Sequence, residues 1–182
     1  GFTQSLESAM AQVKTPMLIG RMAFSLNAIL ILHACFWISL ALLMEGSIRL
    51  DVAEGIIGGP EWQISYLRHP PFSTWLTGLT WRFGSLRYFA LFALGQILML
   101  SGLVVIVRLL RKTDNEQGIW PVALAFLLLP FATYIPFQVN HNLGVTPFWA
   151  LTLLVAWFAF EHGLKRHWVL FGLVVGLGVW AK

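Results

Sequence analysis

The sequence lacks the charged surface that a water-soluble domain needs. Only 11% of its 182 residues are charged, whereas 58% are hydrophobic. Soluble domains carry about 25% charged residues. The mean hydropathy of +0.74 also lies on the apolar side. This composition excludes a water-soluble fold and predicts an integral membrane protein.

Cysteine is nearly absent, and no basic face is present. Cys35 is the only cysteine and lies within the first apolar run, so the chain cannot build a disulfide framework or a paired-cysteine metal site. The net charge of +4 comes from short basic clusters between apolar runs. That distribution argues against a nucleic-acid partner and is typical of loops that flank membrane helices.

Long apolar runs dominate the rest of the sequence. Four of them are long enough to cross about 30 Å of hydrocarbon as helices: Phe24–Met44, about Tyr88–Val107, Ile119–Phe137 and Leu143–Phe160. A fifth run begins at Trp168 and is short of a full crossing at Lys182, which predicts truncation at the C-terminus. We therefore expect an all-α, polytopic transmembrane protein with about five membrane helices. Residues 1–23 are predicted to be a cytoplasmic segment and residues 24–182 the membrane part.

The basic clusters predict the orientation of the chain. They precede the first run and follow the second and fourth runs, and all are cytoplasmic if the N-terminus is inside: Lys14, Arg21, Arg108, Arg111, Lys112, Lys165 and Arg166. The same arrangement places the segment 45–87, the turn around Asn140 and Lys182 on the outer face. Phe72–Trp81 would be about 15 Å long as a helix, so we expect it to be interfacial or re-entrant.

Half of the eight acidic residues lie in the predicted outer loop 45–87. Asp51 and Glu54 are three residues apart, which on a helical turn places both carboxylates on one face. They would then be close enough to share a proton or a cation. Ordinary surface acids in a solvated loop have the same spacing, so the spacing alone leaves both interpretations open.

A cationic motif follows in the same loop. In Arg68-His69-Pro70-Pro71, Pro70 favours an extended His69, and Pro71 can begin a helix. Arg68 and His69 would then lie at a helix N-terminus, where a phosphate is stabilised. A membrane-interface turn with a snorkelling arginine is the alternative. The other polar residues predicted at the outer face are Asn140, His141, Asn142 and Lys182.

Taken in order, these motifs resemble the N-terminal region of glycosyltransferase family 39. That family includes protein O-mannosyltransferases and lipid A aminoarabinose transferases and has the GT-C membrane fold. The resemblance covers Phe24 to Lys182. The motifs are Asp51 with Glu54, His69-Pro70-Pro71, Phe83-Gly84, Asn140-His141-Asn142 ahead of Trp149, and Ala181-Lys182 after a glycine-rich run.

The resemblance implies an inverting transfer of a sugar from a polyprenyl-phosphate donor to a lipid, glycan or protein acceptor on the outer side of the membrane. It implies that Asp51 is the catalytic acidic residue and that Glu54 assists it. It also implies that Arg68 and His69 contact the donor phosphate. Asn142 stands where many family members have aspartate, and some members have lysine where this chain has His69. A divalent cation with Asp51 and Asn142 as candidate ligands, and a metal-free mechanism, therefore both remain open.

Family members are usually several hundred residues long, so we expect this chain alone to lack turnover. The bacterial inner membrane is the expected location, from the family's commonest members. A non-catalytic membrane scaffold or a transporter subunit is the competing hypothesis. Against a transporter, no apolar run carries a charge near mid-bilayer, and no two helices are broken at matching depth.

Overall fold

The computed structural model describes residues 25–44, 48–66 and 70–182. Within these ranges the protein is all-α, 84% helical, and has no strand. The predicted fold class is therefore confirmed. The chain divides into two units, which separate between Phe36 and Trp37.

Seven α-helices make up most of the described residues. In chain order they are α1 (Ser25–Met44), α2 (Leu50–Gly58), α3 (Pro71–Thr80), α4 (Arg87–Lys112), α5 (Ile119–Leu128), α6 (His141–His162) and α7 (Lys165–Trp180). Short 3-10 turns lie at Gly59–Glu61, Trp81–Leu86, Glu116–Gly118 and Ile135–Phe137.

Three helical segments of the described chain are long and apolar enough to cross a membrane: Ser25–Met44, Pro71–Lys112 and His141–His162. The second of these joins α3 and α4 through a kink at Gly84, whose φ is 58°. Helices α5 and α7 have 10 and 16 residues. They are about 15 Å and 24 Å long, shorter than a bilayer core of about 30 Å. The three long helical segments make the chain an integral membrane protein.

Helix α5 ends earlier than the apolar run predicts. The run extends to Phe137, but the helix stops at Leu128. Leu129 is extended, with ψ of 142°, because the ring of Pro130 disfavours helical geometry in the residue before it. The chain then turns and forms the 3-10 turn Ile135–Phe137 before α6 begins.

Helix α6 packs against both α4 and α7. A Cβ added to Gly102 of α4 would lie 3.0 Å from the Thr146 side chain of α6. Helix α6 ends at Gly163, which has a φ of 63° and turns the chain into α7. The outward-facing apolar residues of α6 and α7 are what a lipid-facing surface requires: Trp149, Leu153, Phe160, Val169, Leu173 and Val179.

Candidate functional site

Helix α2 carries the two predicted catalytic acids. Asp51 is exposed in the first turn, and Glu54 is half-buried one turn later. Residues three apart are neighbours on the surface of a helix, so the predicted helical spacing of the two carboxylates is confirmed. A carboxylate in the first turn also interacts favourably with the helix dipole. The catalytic roles of these residues stay predictions.

Glycines hold α2 close to α3. A Cβ on Gly55 would lie 3.1 Å from Cβ of Thr77, and one on Gly58 would lie 3.6 Å from Cγ2 of Thr74. Val52, next to Asp51, lines a cleft with Tyr88 at the start of α4, and α4 follows the C-terminal end of α3. Asp51 therefore lies toward that end of α3.

A small cleft opens beside the start of α2. It lies between α2, α4 and the turn before α6, and its lining residues are Ile48, Arg49, Val52, Tyr88, Leu91, Phe92 and Phe137. Arg49 immediately precedes α2 and is exposed. Arg49 is only two residues from Asp51 but was not among the residues predicted from the sequence. Its position as a basic residue among the acids of the outer loop could have identified it.

The N-terminus of α3 forms as its proline pair predicts. Pro70 is extended, with φ of −62° and ψ of 147°, and Pro71 is the first helical residue. The Thr74 hydroxyl donates to the Pro70 carbonyl oxygen at 3.0 Å, and the Ser73 hydroxyl does so at 3.4 Å. Arg68 and His69, the predicted phosphate contacts, lie outside the described residues, so their role stays a prediction.

The polar residues at the start of α6 have different roles. Asn140 caps the helix, because its Oδ1 accepts from the backbone N–H of Asn142 at 3.0 Å and of Leu143 at 3.3 Å. His141 is half-buried and Asn142 is exposed. Of the four predicted outer polar residues, Asn140 therefore has a structural role at the start of the helix.

The starts of α3 and α6 meet the end of α7. A Cβ on Gly144 would lie 3.3 Å from Cβ of Ser73 and 3.8 Å from the Ala181 carbonyl oxygen. The ring centroids of Phe72 and Phe148 are 5.2 Å apart. The structure thus brings the predicted residues at 140–142 and 182 to the start of α3.

Lys182 has an aromatic partner at this junction. Its Nζ lies 5.4 Å from the centroid of the Trp149 ring, within the range of a cation–π interaction. Asp51 lies toward the other end of α3. The site therefore has an acidic end at the start of α2 and a cationic end at Lys182.

Three tryptophans also come together at the cationic end. The ring centroids of Trp62 and Trp75 are 5.4 Å apart, and those of Trp75 and Trp180 are 5.1 Å apart. We call these three residues the tryptophan cluster. The sequence reasoning missed it, because its members are distant along the chain. The only signal was the high count of nine tryptophans.

The described residues do not form a recognisable site for a divalent cation. No group of three or more His, Cys, Asp and Glu side chains within those ranges is arranged to hold a metal ion. The predicted pair Asp51 and Asn142 offers one carboxylate and one amide oxygen, which are ligand types that suit Mg²⁺ or Mn²⁺. Two such ligands do not complete a site, so donor phosphate oxygens would have to supply others.

Comparison with known proteins identifies one family. Residues 68–182 match the sequence model of the family described as dolichyl-phosphate-mannose-protein mannosyltransferase. No curated protein and no solved structure matches the chain. The matched range contains α3, the start of α6 and Lys182, and therefore most of the cationic end of the candidate site; Trp62 precedes it.

Proposed function

Because the chain belongs to the dolichyl-phosphate-mannose-protein mannosyltransferase family, we propose that it transfers a sugar from a polyprenyl-phosphate donor to an acceptor on the outer face of the membrane. The family is one of membrane glycosyltransferases, in agreement with the membrane helices of the chain. The observation that carries the proposal is the meeting of α3, α6 and Lys182 within the matched range.

The distribution of charge supports an outer location for this site. The starts of α3 and α6 lie beside Lys182, and the sequence places all three outside. Among the described residues, the basic side chains predicted to be cytoplasmic lie in the last turns of α4 or beyond the far end of α6. Helix α6 has 22 residues and is about 33 Å long, enough to separate the two groups by the thickness of a bilayer core.

The cationic end suits the phosphate of the donor. Unpaired N–H groups and the helix dipole at the start of α3 favour an anion. Arg68 and His69 immediately precede this helix, and Lys182 supplies a further positive charge. These groups would stabilise the charge that grows on the phosphate oxygen as the glycosidic bond breaks.

The acidic end suits the acceptor. Asp51 would take the proton from an acceptor hydroxyl, whose oxygen then bonds to the anomeric carbon of the sugar. The bond from that carbon to the phosphate oxygen breaks in the same displacement, which inverts the configuration and leaves polyprenyl phosphate. Glu54 would orient Asp51. A divalent cation bound by this carboxylate and the donor phosphate is an alternative use of Asp51; Asn142 lies at the cationic end, so it would join that site only if the bound donor brought the two ends together.

Donor binding tests the proposal. The chain is placed in lipid nanodiscs and titrated with polyprenyl-phosphate mannose, comparing His69→Ala with His162→Ala and Asp51→Asn with Asp114→Asn. We expect His69→Ala to weaken binding about tenfold, because it removes a hydrogen bond to a charged group. Asp51→Asn should have a smaller effect, because Asp51 lies at the other end of α3.

The two controls change the same residue types elsewhere on the chain. His162 ends α6, and Asp114 is exposed after α4. Both lie at the end of the helices that the sequence predicts to be cytoplasmic. Natural affinity in His69→Ala, or an equal loss in the matched controls, would contradict the proposed donor site.

A further inference from the structure

The loop that carries Trp62 is held in one conformation by hydrogen bonds. The Gln63 backbone N–H donates to the Tyr66 hydroxyl at 3.0 Å, and that hydroxyl donates to the Gly58 carbonyl oxygen at 3.0 Å. Trp75 Nε1 donates to the Gln63 carbonyl oxygen at 3.1 Å. Trp62 itself adopts a left-handed conformation with φ of 50°, which bulky residues rarely do. The loop therefore fixes the position of the Trp62 ring at some conformational cost.

The tryptophan cluster is open to a ligand. Trp62 is 46% exposed and Trp180 is 36% exposed, with the half-buried Trp75 between them. Their rings come from the loop after α2, from α3 and from the end of α7, so the cluster is a built surface rather than one face of a single helix.

Two polar residues adjoin the exposed Trp62 in the chain. Glu61 and Gln63 flank Trp62 in the chain and are both exposed. Gln63 Nε2 donates to Glu61 Oε2 at 2.5 Å. This bond joins the carboxylate and the amide across the chain position of Trp62, and the pair still presents both acceptors and donors.

This combination fits the chemistry of a sugar ring. A pyranose has an apolar C–H face, which can lie on an indole, and a rim of hydroxyls, which a carboxylate and an amide can bind. An isoprenoid chain would contact the indoles alone, and burial of the Glu61 carboxylate under it would be unfavourable. Charge and hydrogen-bonding capacity therefore favour a carbohydrate.

We propose that Trp62, Trp75 and Trp180, with Glu61 and Gln63, form a binding platform for a pyranose ring. This proposal adds a sugar-binding surface to the proposed function. It rests on that function only for the identity of the molecule that carries the sugar, which is either the polyprenyl-phosphate donor or a glycan acceptor. Trp62, Glu61 and Gln63 precede the matched family range 68–182, so the platform adds to the features that the family match covers.

The test distinguishes sugar binding on the aromatic face of Trp62 from general contact with an apolar side chain. The chain in nanodiscs is titrated with mannotriose, with polyprenyl-phosphate mannose and with sugar-free polyprenyl phosphate, and binding is followed by saturation-transfer NMR. Trp62→Leu keeps apolar bulk and removes the aromatic face. Trp168→Leu is the matched control, because Trp168 is 43% exposed and lies twelve residues before Trp180 on α7, about 18 Å along the helix.

We expect Trp62→Leu to weaken binding of a sugar-bearing probe about tenfold and to leave sugar-free polyprenyl phosphate unchanged. Trp168→Leu should bind as the natural chain does. A loss confined to polyprenyl-phosphate mannose identifies the donor sugar as the occupant, and a loss confined to mannotriose identifies an acceptor glycan. Either result supports the platform.

Three results would overturn it. Unchanged binding of both sugar probes in Trp62→Leu would show that the indole does not bind sugar. An equal loss for sugar-free polyprenyl phosphate would show an isoprenoid occupant. Absence of binding of both sugar probes to the natural chain, while sugar-free polyprenyl phosphate binds in a His69-dependent way, would leave the tryptophans as ordinary membrane-interface residues and the donor-phosphate site intact.

Discussion

At the residue scale, single glycines set how closely segments approach. Gly95 of α4 lies against the Pro136 carbonyl oxygen so closely that a Cβ would overlap it. Gly172 and Gly176 form a small-xxx-small step in α7, which predicts close helix packing. A Cβ at either position meets nothing within 4 Å among the described residues. Neither glycine therefore packs closely against another described segment.

This contrast gives a matched pair of substitutions. Gly95→Ala should destabilise the protein by about 1–3 kcal/mol, because backbone atoms at Pro136 have to shift. Gly172→Ala should leave stability unchanged or raise it by up to about 1 kcal/mol, because alanine is the better helix former. Thermal unfolding in detergent, followed by intrinsic fluorescence, measures both. Equal melting temperatures for the two variants would show that the approach of Pro136 to α4 is not tight.

At the scale of one element, α6 depends on its first residues. Asn140 accepts two backbone N–H groups through its side chain, whereas the side chain of Asn142 is exposed one position into the helix. The two asparagines thus differ in role although they are two residues apart. One begins the helix, and the other is available to a ligand.

Substitution separates these roles. Asn140→Ala should lower the free energy of unfolding by about 1 kcal/mol, because it removes the helix cap. Asn142→Ala should leave stability within about 0.5 kcal/mol of the natural chain. Chemical denaturation in mixed micelles measures both values. A larger loss in Asn142→Ala than in Asn140→Ala would contradict the assigned cap.

Most elements were predictable because their signals are local. The long apolar runs predicted α1, α4 and α6, and the proline pair predicted the start of α3. The end of α5 was not recognised, because hydropathy continues past Pro130 while the backbone geometry does not. The placement of Asp51 and Glu54 on one helical face was also predictable, because both residues lie on the same helix.

Contacts between elements were not predictable in the same way. The predicted topology placed Asn140 and Lys182 on one face, but it gave no sign that Gly144 would bring both to Ser73. The tryptophan cluster depends on Trp62, Trp75 and Trp180 meeting in three dimensions. Hydrophobic periodicity and motif spacing cannot predict such contacts, because both describe the chain one element at a time.

At the scale of the whole molecule, the two ends of the helices differ in chemistry. One end holds Asp51, Glu54, the proline pair and the tryptophan cluster, together with single arginines such as Arg49. The other holds the basic clusters at the end of α4 and between α6 and α7. Basic residues at membrane-helix ends favour the cytoplasmic side. The charge pattern therefore predicts the side of the membrane on which each loop lies.

Cysteine labelling in intact cells tests this orientation. Cys35 is the only native cysteine, so Cys35→Ser gives a clean background for Ser65→Cys and Gln117→Cys, two exposed positions at opposite ends. A membrane-impermeant maleimide should label Ser65→Cys at once and Gln117→Cys only after permeabilisation, because the bilayer separates the two loops. The reverse pattern would place the acidic end of the site in the cytoplasm.

The contact between Trp75 and Trp180 has a consequence for biogenesis. A ribosome makes Trp75 more than a hundred residues before Trp180, so the two rings cannot meet until α7 has been synthesised. Trp62 and Trp75 are therefore made well before their third partner, and α4, α5 and α6 are synthesised in between. The cationic end of the site includes Trp180 and Lys182, so it assembles only after α7 has been made.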